Sequence, residues 1–213
     1  MCGRFQFTDD IAELRQMAGE ANERLFGEVV KTGEIFPTDL AVVAIWKDNQ
    51  VKYFPMRWGF PKWDGKGVVI NARAETAAEK PMFRESLLKR RCAVPSAGFY
   101  EWNRVDGKAM KEKYLFAEPD QEITFMAGIF DTFTKDDGSR YDAFTILTTA
   151  ANDSVEPIHD RMPVILQHDE LEAWLRDGDF MQTVLDRVGP ALEMKVETPL
   201  KEAEYKQTSL FGD

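Results

Sequence analysis

Cysteine and histidine are the scarce residues of this chain: two of each among 213. Two cysteines, Cys2 and Cys92, cannot build the disulfide framework on which small secreted domains rely. A chain this long buries a sizeable core without such staples. Two histidines leave no His-rich metal site, and nothing in the sequence calls for a metal or a cofactor. Long apolar runs are missing too. The longest, Leu40 to Trp46, is far short of the ~20 residues that span a bilayer. Met1 to Gln6 contains no apolar stretch of signal-peptide length. The expectation is a protein of the reducing cytoplasm, away from membranes, with both thiols free. Positive charge is also in deficit: 27 Lys and Arg against 37 Asp and Glu give a net charge of −10. Such a protein is no generic polyanion binder, and any contact with nucleic acid needs a local basic groove.

There is no internal repeat and no Gly/Ser/Pro linker. One domain is expected over residues 1–200, followed by a polar, poorly ordered tail over 201–213. Asp9-Asp10 before Ile11, Leu14 and Met17 predicts an N-capped amphipathic helix. Leu40–Trp46 and Val51–Phe54 around Lys47-Asp48-Asn49-Gln50 predict a hairpin. Val68–Ile70 reads as a short strand, and Pro81 as the first turn of a helix carrying Met82, Phe83, Leu87 and Leu88. Strand patterns follow at Cys92–Val94, Gly98–Trp102, Tyr114–Ala117, Ile123–Phe130, Phe144–Thr148 and Met162–Leu166, with a turn at Asp136-Asp137-Gly138. Leu171, Trp174 and Leu175 form a helical face that stops at Gly178. Phe180 to Val188 form another, before Gly189-Pro190. Strands in the middle and helices at the edges, without regular alternation, predict an α+β fold: a single domain with a largely antiparallel, barrel-like β core and peripheral helices.

Five segments carry residues suited to chemistry. Cys2 follows the initiator Met, which is normally removed before a small residue. Removal leaves a free α-amine, with a reference pKa of about 7.7–8.0, two carbons from a thiol. That pair condenses with an aldehyde to a Schiff base and closes to a thiazolidine, or attacks an acyl group; the plainer alternative is a small apolar residue. Glu101 lies among aromatics in Gly98-Phe99-Tyr100-Glu101-Trp102. In a dry pocket it would shuttle protons. Strand alternation puts it on Phe99's face, where it is equally readable as a solvated residue. His159, between Pro157 and Pro163, fits a loop that presents it, or an ordinary surface position. Asn71 and Arg73 stand at a strand end, with Glu75 a candidate ion-pair partner of Arg73. Arg57-Trp58-Gly59-Phe60-Pro61-Lys62-Trp63 interleaves cations with aromatics, as suits base stacking and phosphate contact, or a core strand running into a turn.

Taken in order, Met1-Cys2-Gly3-Arg4, Trp58-Gly59, Asn71-Ala72-Arg73-Ala74-Glu75-Thr76, Gly98-Phe99-Tyr100-Glu101-Trp102 and His159-Asp160-Arg161-Met162-Pro163 resemble the SOS response-associated peptidase family of abasic-site processing proteins, from residue 2 to about 175. The resemblance implies a cleft for single-stranded DNA and covalent capture of abasic sites, whose ring-opened sugar is an aldehyde. It implies Cys2 as nucleophile, Glu101 as the acid/base of the Schiff-base chemistry, and His159 in sugar opening and crosslink reversal. It implies Asn71 as a hydrogen-bond partner of the sugar. Arg73 and Arg161, with Arg4 as a weaker candidate, match phosphate-contacting arginines. Trp58 and Trp63 match cleft-lining aromatics. The family's peptidase label attaches to the exposure of Cys2. The chain departs from the pattern at Glu34-Ile35-Phe36-Pro37, where the family carries Asn-x-Ala-Pro, at Pro81, where a basic residue is expected, and after Lys195.

Two other classes begin from the same residues. A glutamine amidotransferase-type amidohydrolase also starts Met-Cys-Gly, and predicts ammonia release. A non-catalytic single-strand-binding module would leave Cys2 incidental. In the tail, Gln207-Thr208-Ser209-Leu210-Phe211 resembles the bacterial sliding-clamp-binding pentapeptide, so Gln207, Leu210 and Phe211 are expected to contact the replication clamp. The partners expected are therefore single-stranded DNA with abasic sites and the clamp, with no membrane, and the protein is expected to act as a monomer.

Overall fold

The middle strands of the chain roll up into a closed ring. A computed structural model describes residues 2–103 and 112–198. Its elements run β1 (Phe5–Phe7), α1 (Ala12–Asn22), β2 (Gly33–Ile35), β3 (Leu40–Lys47), β4 (Gln50–Trp58), β5 (Phe60–Pro61), β6 (Val68–Val69), β7 (Asn71–Arg73), α2 (Ala74–Ala77), α3 (Pro81–Lys89), β8 (Arg91–Ser96), β9 (Gly98–Trp102), β10 (Lys113–Ala117), β11 (Thr124–Thr134), β12 (Arg140–Ala150), β13 (Arg161–Pro163), β14 (Ile165–Leu166), α4 (Leu171–Arg176), α5 (Gly178–Asp186) and β15 (Glu193–Thr198). The ring is β12-β4-β3-β8-β11, closed by pairing of β11 with β12. Every pairing in it is antiparallel except β4 with β12. A second sheet, β15-β10-β9-β1-β2, lies beside it, and the helices are peripheral. The α+β, barrel-like reading of the sequence holds.

Turn chemistry fixes the two main hairpins. Asp48 and Asn49 both adopt positive φ, 52° and 59°, between Lys47 and Gln50. That is the primed two-residue turn whose twist matches the flanking strands, and Asx residues tolerate it best. Between β11 and β12, Gly138 takes φ +82° while the Asp137 carboxylate accepts from both the backbone N–H and the hydroxyl of Ser139. The apolar run of β8 is buried on both faces. On the outer side, the Trp174 indole of α4 donates to the Cys92 carbonyl at 2.9 Å, and the Arg91 guanidinium donates to the Trp174 carbonyl at 2.6 Å.

Several local expectations need correction. Asp9 and Asp10 do not cap α1: Ile11 occupies that position, with no side-chain cap, and Asp10 instead accepts from Thr8. Gly178 does not end a helix but opens α5, whose cap is Asp177, accepting from the N–H groups of Asp179 and Phe180. Met162–Leu166 is broken at Val164, whose N–H and carbonyl bond to Leu147 and Ala127 on two different strands. The sequence reading did not foresee β1 or β15. β1 is only three residues long, and β15 is largely exposed.

Gly98 opens β9 at φ +140°, and a Cβ there would stand 2.5 Å from the Phe116 carbonyl oxygen. Gly98→Ala is therefore expected to destabilise the fold by roughly 1–3 kcal/mol, from backbone strain. Gly138→Ala, with open space around it, should cost less. Paired thermal melts check the difference.

Candidate functional site at the N-terminal strand

β1 is three residues long, yet it seats the start of the chain in the core. Cys2, Phe5 and Phe7 are all buried. Phe5 pairs with Ile35 on one side and Phe99 on the other. The Tyr100 N–H donates to the Arg4 carbonyl at 2.9 Å. Continuing that antiparallel register puts Gly3 opposite Glu101 and Cys2 beside Trp102. Below the strand, the Phe5 ring meets the Trp58 indole edge-on at 5.1 Å.

Glu101 shares a face with Phe99, as alternation requires, but that face points inward: Glu101 is 4% exposed. The reading of a solvated strand residue is thereby corrected. The cause is tertiary, because the second sheet packs this face, with Phe5, Phe99 and Phe116, into the core. The Cys2 thiol is fully buried and donates to the Arg4 carbonyl at 3.6 Å. Burial pushes its pKa well above the ordinary thiol range, and the nearby Glu101 carboxylate pushes it further. The thiol is thus held protonated at neutral pH. Asn71 closes the arrangement from the ring side. β7 runs parallel to β12, with Asn71 opposite Ile146, and the Asn71 Nδ2 donates to the Cys2 carbonyl at 2.8 Å. Its Oδ1 is buried and accepts nothing from the described residues. A buried acceptor left open in this way marks a place for an incoming donor.

β12 organises the second half of the site. Thr148 pairs with Arg73 on one edge and with Pro163 on the other, and Ala150 pairs with Arg161. Arg73 is exposed. Arg161 is not free for an external anion: its guanidinium makes bonds of 2.5 and 2.8 Å to the two Glu75 oxygens, and one of 2.6 Å to the Thr148 carbonyl. Glu75, a candidate partner for Arg73, belongs to Arg161. The hydrogen bond from Arg161 holds the Glu75 carboxyl below the usual carboxylate range, so the pair persists at neutral pH. The His159 side chain is largely buried. Its Nδ1 lies 3.0 Å from the Arg161 backbone N and 3.0 Å from Asp160 Oδ1. The first contact suits the neutral ring, with the proton on Nε2; the second suits the imidazolium.

Arg4 is engaged as well. It pairs with Glu34 at 2.8 Å and lies 4.1 Å from the Phe36 ring centroid and 4.9 Å from that of Trp102. Lys113 joins it, 2.9 Å from Glu34 and 3.7 Å from the Tyr100 ring centroid. Lys113 drew no attention in the sequence, because a lone Lys in a strand has no pattern. Glu34, where the chain departs from Asn-x-Ala-Pro, is the hub of this cluster. The two tryptophans part company. Trp58, expected as a cleft-lining aromatic, is wholly buried: its indole donates to the Ile70 carbonyl at 3.0 Å and stacks on Phe144. It supports the site from beneath and offers no surface to a base. Trp63 is 96% exposed. Gln207, Leu210 and Phe211 lie outside the described residues. Among the described residues, no cluster of His, Cys, Asp and Glu could hold a metal ion, and no helix is long and apolar enough to cross a membrane.

The fold and the site define an α+β barrel protein with a second-position cysteine as its candidate nucleophile. Residues 1–198 match the profile of the SOS response associated peptidase (SRAP) family, and the chain belongs to it. It is 32% identical over 201 residues to the abasic site processing protein YoqW of Bacillus subtilis, covering 87% of this chain and 86% of that protein. It is 30% identical over 181 residues to the abasic site processing protein YedK of Escherichia coli, covering 83% and 80%. A crystal structure of a protein from Bacteroides thetaiotaomicron superposes with a TM-score of 0.72 at 27% identity, covering 92% of this chain and 91% of that one.

In protein that retains Met1, Cys2 should alkylate slowly with iodoacetamide at neutral pH, and faster as the pH rises. Glu101→Gln removes a nearby negative charge, so the thiol pKa falls and alkylation at fixed pH speeds up. Cys92 is equally buried but raised by burial alone, and should not respond. Asn71→Ala should also expose Cys2, at a cost of about 1 kcal/mol for the lost hydrogen bond. Mass spectrometry of each thiol over time reads all three.

Proposed function

We propose that this protein processes abasic sites in single-stranded DNA, capturing the lesion covalently through Cys2 once Met1 is removed. The observation that carries this reading is the clasp on Cys2: Asn71 on its carbonyl and the Glu101 carboxylate close enough to perturb its thiol. The names of the relatives, abasic site processing proteins, support the choice of lesion. The ring-opened sugar presents an aldehyde. The Cys2 amine adds to it and water leaves, forming a C=N bond. The thiol sulfur then adds to that carbon while its proton passes to the nitrogen, closing a thiazolidine. No oxidant or reductant is consumed. In this reading Glu101 relays protons during addition and dehydration. His159, through Nε2, acts in sugar opening and crosslink reversal. The open Oδ1 of Asn71 accepts from the sugar or from the amine. Burial and Glu101 keep the thiol protonated until an iminium is present to receive it. We read the peptidase label of the family as the step that exposes Cys2. The working protein is a monomer in a reducing compartment.

The ion pairing divides the arginines. Arg73, exposed, is the phosphate contact, whereas Arg161 holds Glu75 and, through its backbone, His159. The test is a denaturing gel of purified protein with a single strand carrying one abasic site. Wild type should give a shifted band, and Cys2→Ala or a blocked N-terminus none. Glu101→Gln should slow adduct formation with affinity nearly intact, and His159→Ala should slow sugar opening or reversal. Arg73→Ala should lower the salt slope of binding by roughly 0.7 for one single-strand phosphate contact. Arg161→Ala should lower the melting temperature more than the slope. An equally stable adduct with Cys2→Ala would sink the mechanism.

For the tail, we propose that Gln207, Leu210 and Phe211 tether the protein to the replication clamp. A peptide of residues 201–213 should bind purified clamp with a Kd on the order of micromolar, as for a segment that orders on binding. Leu210→Ala plus Phe211→Ala should abolish binding and leave crosslinking in vitro intact.

A further inference from the structure

Beside the Cys2 clasp, two cations share one carboxylate drawn from a different strand. Arg4, two residues after Cys2, donates to Glu34 Oε1 at 2.8 Å, and the Lys113 ammonium donates to Glu34 Oε2 at 2.9 Å. Each cation also rests against a ring: Arg4 against Phe36 and Trp102, Lys113 against Tyr100. Burial on its own would raise the Glu34 carboxyl, but the bonds from Lys113 and Arg4 hold it below the ordinary carboxylate range. Glu34 is therefore charged at neutral pH, and the three side chains together carry one positive charge where the two cations alone would carry two.

The cluster abuts the clasp. Lys113 pairs with Trp102 between β10 and β9, and the register of β1 puts Cys2 on the other side of Trp102. Two strand spacings of about 4.8 Å place the Lys113 backbone roughly 10 Å from that of Cys2. Arg4, Glu34 and Lys113 are all partly exposed, so an anion from solvent can reach them. Two features set Glu34 apart from an ordinary structural partner. The rings support both cations without it, since a cation over an aromatic face is held by the ring's own field. Glu34 also stands where the family pattern Asn-x-Ala-Pro carries a neutral side chain.

We infer that Glu34 is a resident competitor for phosphate: its carboxylate fills the anion site of Arg4 and Lys113 and weakens the hold on undamaged single strands. Retention of a strand then depends on the covalent step at Cys2. A protein that is used up by each lesion it captures works best when it leaves undamaged strands quickly. The inference rests on the abasic-site reading for its biological substrate, but the competition can be measured without a lesion.

The test titrates a fluorescent, lesion-free thymidine single strand of about 16 nucleotides, the upper end of single-strand site sizes, by anisotropy at several salt concentrations. Glu34→Gln keeps the shape and removes the charge. It should tighten binding several-fold and steepen the salt slope by about 0.7 to 1.4, at about 0.7 for each single-strand phosphate newly contacted. Adding Arg4→Gln and Lys113→Gln to Glu34→Gln should abolish that gain. A control that frees a cation elsewhere, Glu172→Gln beside Arg176 on α4, should change neither affinity nor slope. Melting curves accompany each titration, and Glu34→Asn, the residue of the family pattern, gives a second variant that should move affinity and slope in the same direction. A merely structural Glu34 predicts weaker binding in both variants. Unchanged or weaker binding in both, a gain that persists in the triple variant, or an equal gain in the control would overturn the inference. Adduct formation on an abasic strand at low concentration is read in parallel and should speed up in Glu34→Gln. If wild type forms no adduct on any strand, the abasic-site reading fails, while the salt slope on the lesion-free strand still decides the role of Glu34.

Discussion

The seating of the N-terminal strand is the constraint on which the rest of the site depends. Phe5 sits over Trp58, and Trp58 is itself fixed by Phe144 and by a bond to the Ile70 carbonyl. These aromatic contacts bury large apolar surfaces, and truncating a ring such as Trp58 in a close-packed core costs about 3–5 kcal/mol. Once Phe5 is placed, backbone pairing to β9 sets the register, which puts Gly3 opposite Glu101 and Cys2 next in line, beside Trp102. The same bond from Trp58 ties down residue 70, so that Asn71 reaches the Cys2 carbonyl. Core packing and site geometry are here one set of contacts.

Charge is distributed on a similar logic. The protein is acidic overall, and most arginines that a sequence reader would assign to phosphate are already paired. Arg4 with Glu34, Arg57 with Glu28 and Arg161 with Glu75 spend their charge inside the fold. The exposed pair of Arg57 with Glu28 adds little stability. The other two do lock side chains: Arg4 pins the strand behind Cys2, and Arg161 pins the segment that carries His159. Among the described residues, Arg73, two residues from Asn71 and exposed, is one of the cations that no ion pair engages.

Several features were legible from residue order. The hairpin around Lys47-Asp48-Asn49-Gln50, the Pro81 helix start, the β-rich middle and the α+β class all rest on local preferences that the fold does not override. The motifs around Cys2, Asn71, Glu101 and His159 pointed to one family, and residues 1–198 belong to it. The residues that misled did so for stated reasons. Trp58 sits in a run of cations and aromatics that reads equally as a binding surface or a core strand. Glu101 obeys strand alternation, but alternation does not say which face is wet.

What the sequence by itself determined, then, is what depends on neighbours along the chain: turn positions, the Pro81 helix start, strand periodicity and the chemical character of each motif. Tertiary structure alone decided which face of β9 turns inward, which carboxylate each arginine meets, and which residue 69 positions away clasps the Cys2 carbonyl. The physical reason is that burial and pairing depend on distance in space. Those distances are set only when the second sheet packs on the ring, so a pattern of period two or 3.6 contains no information about them.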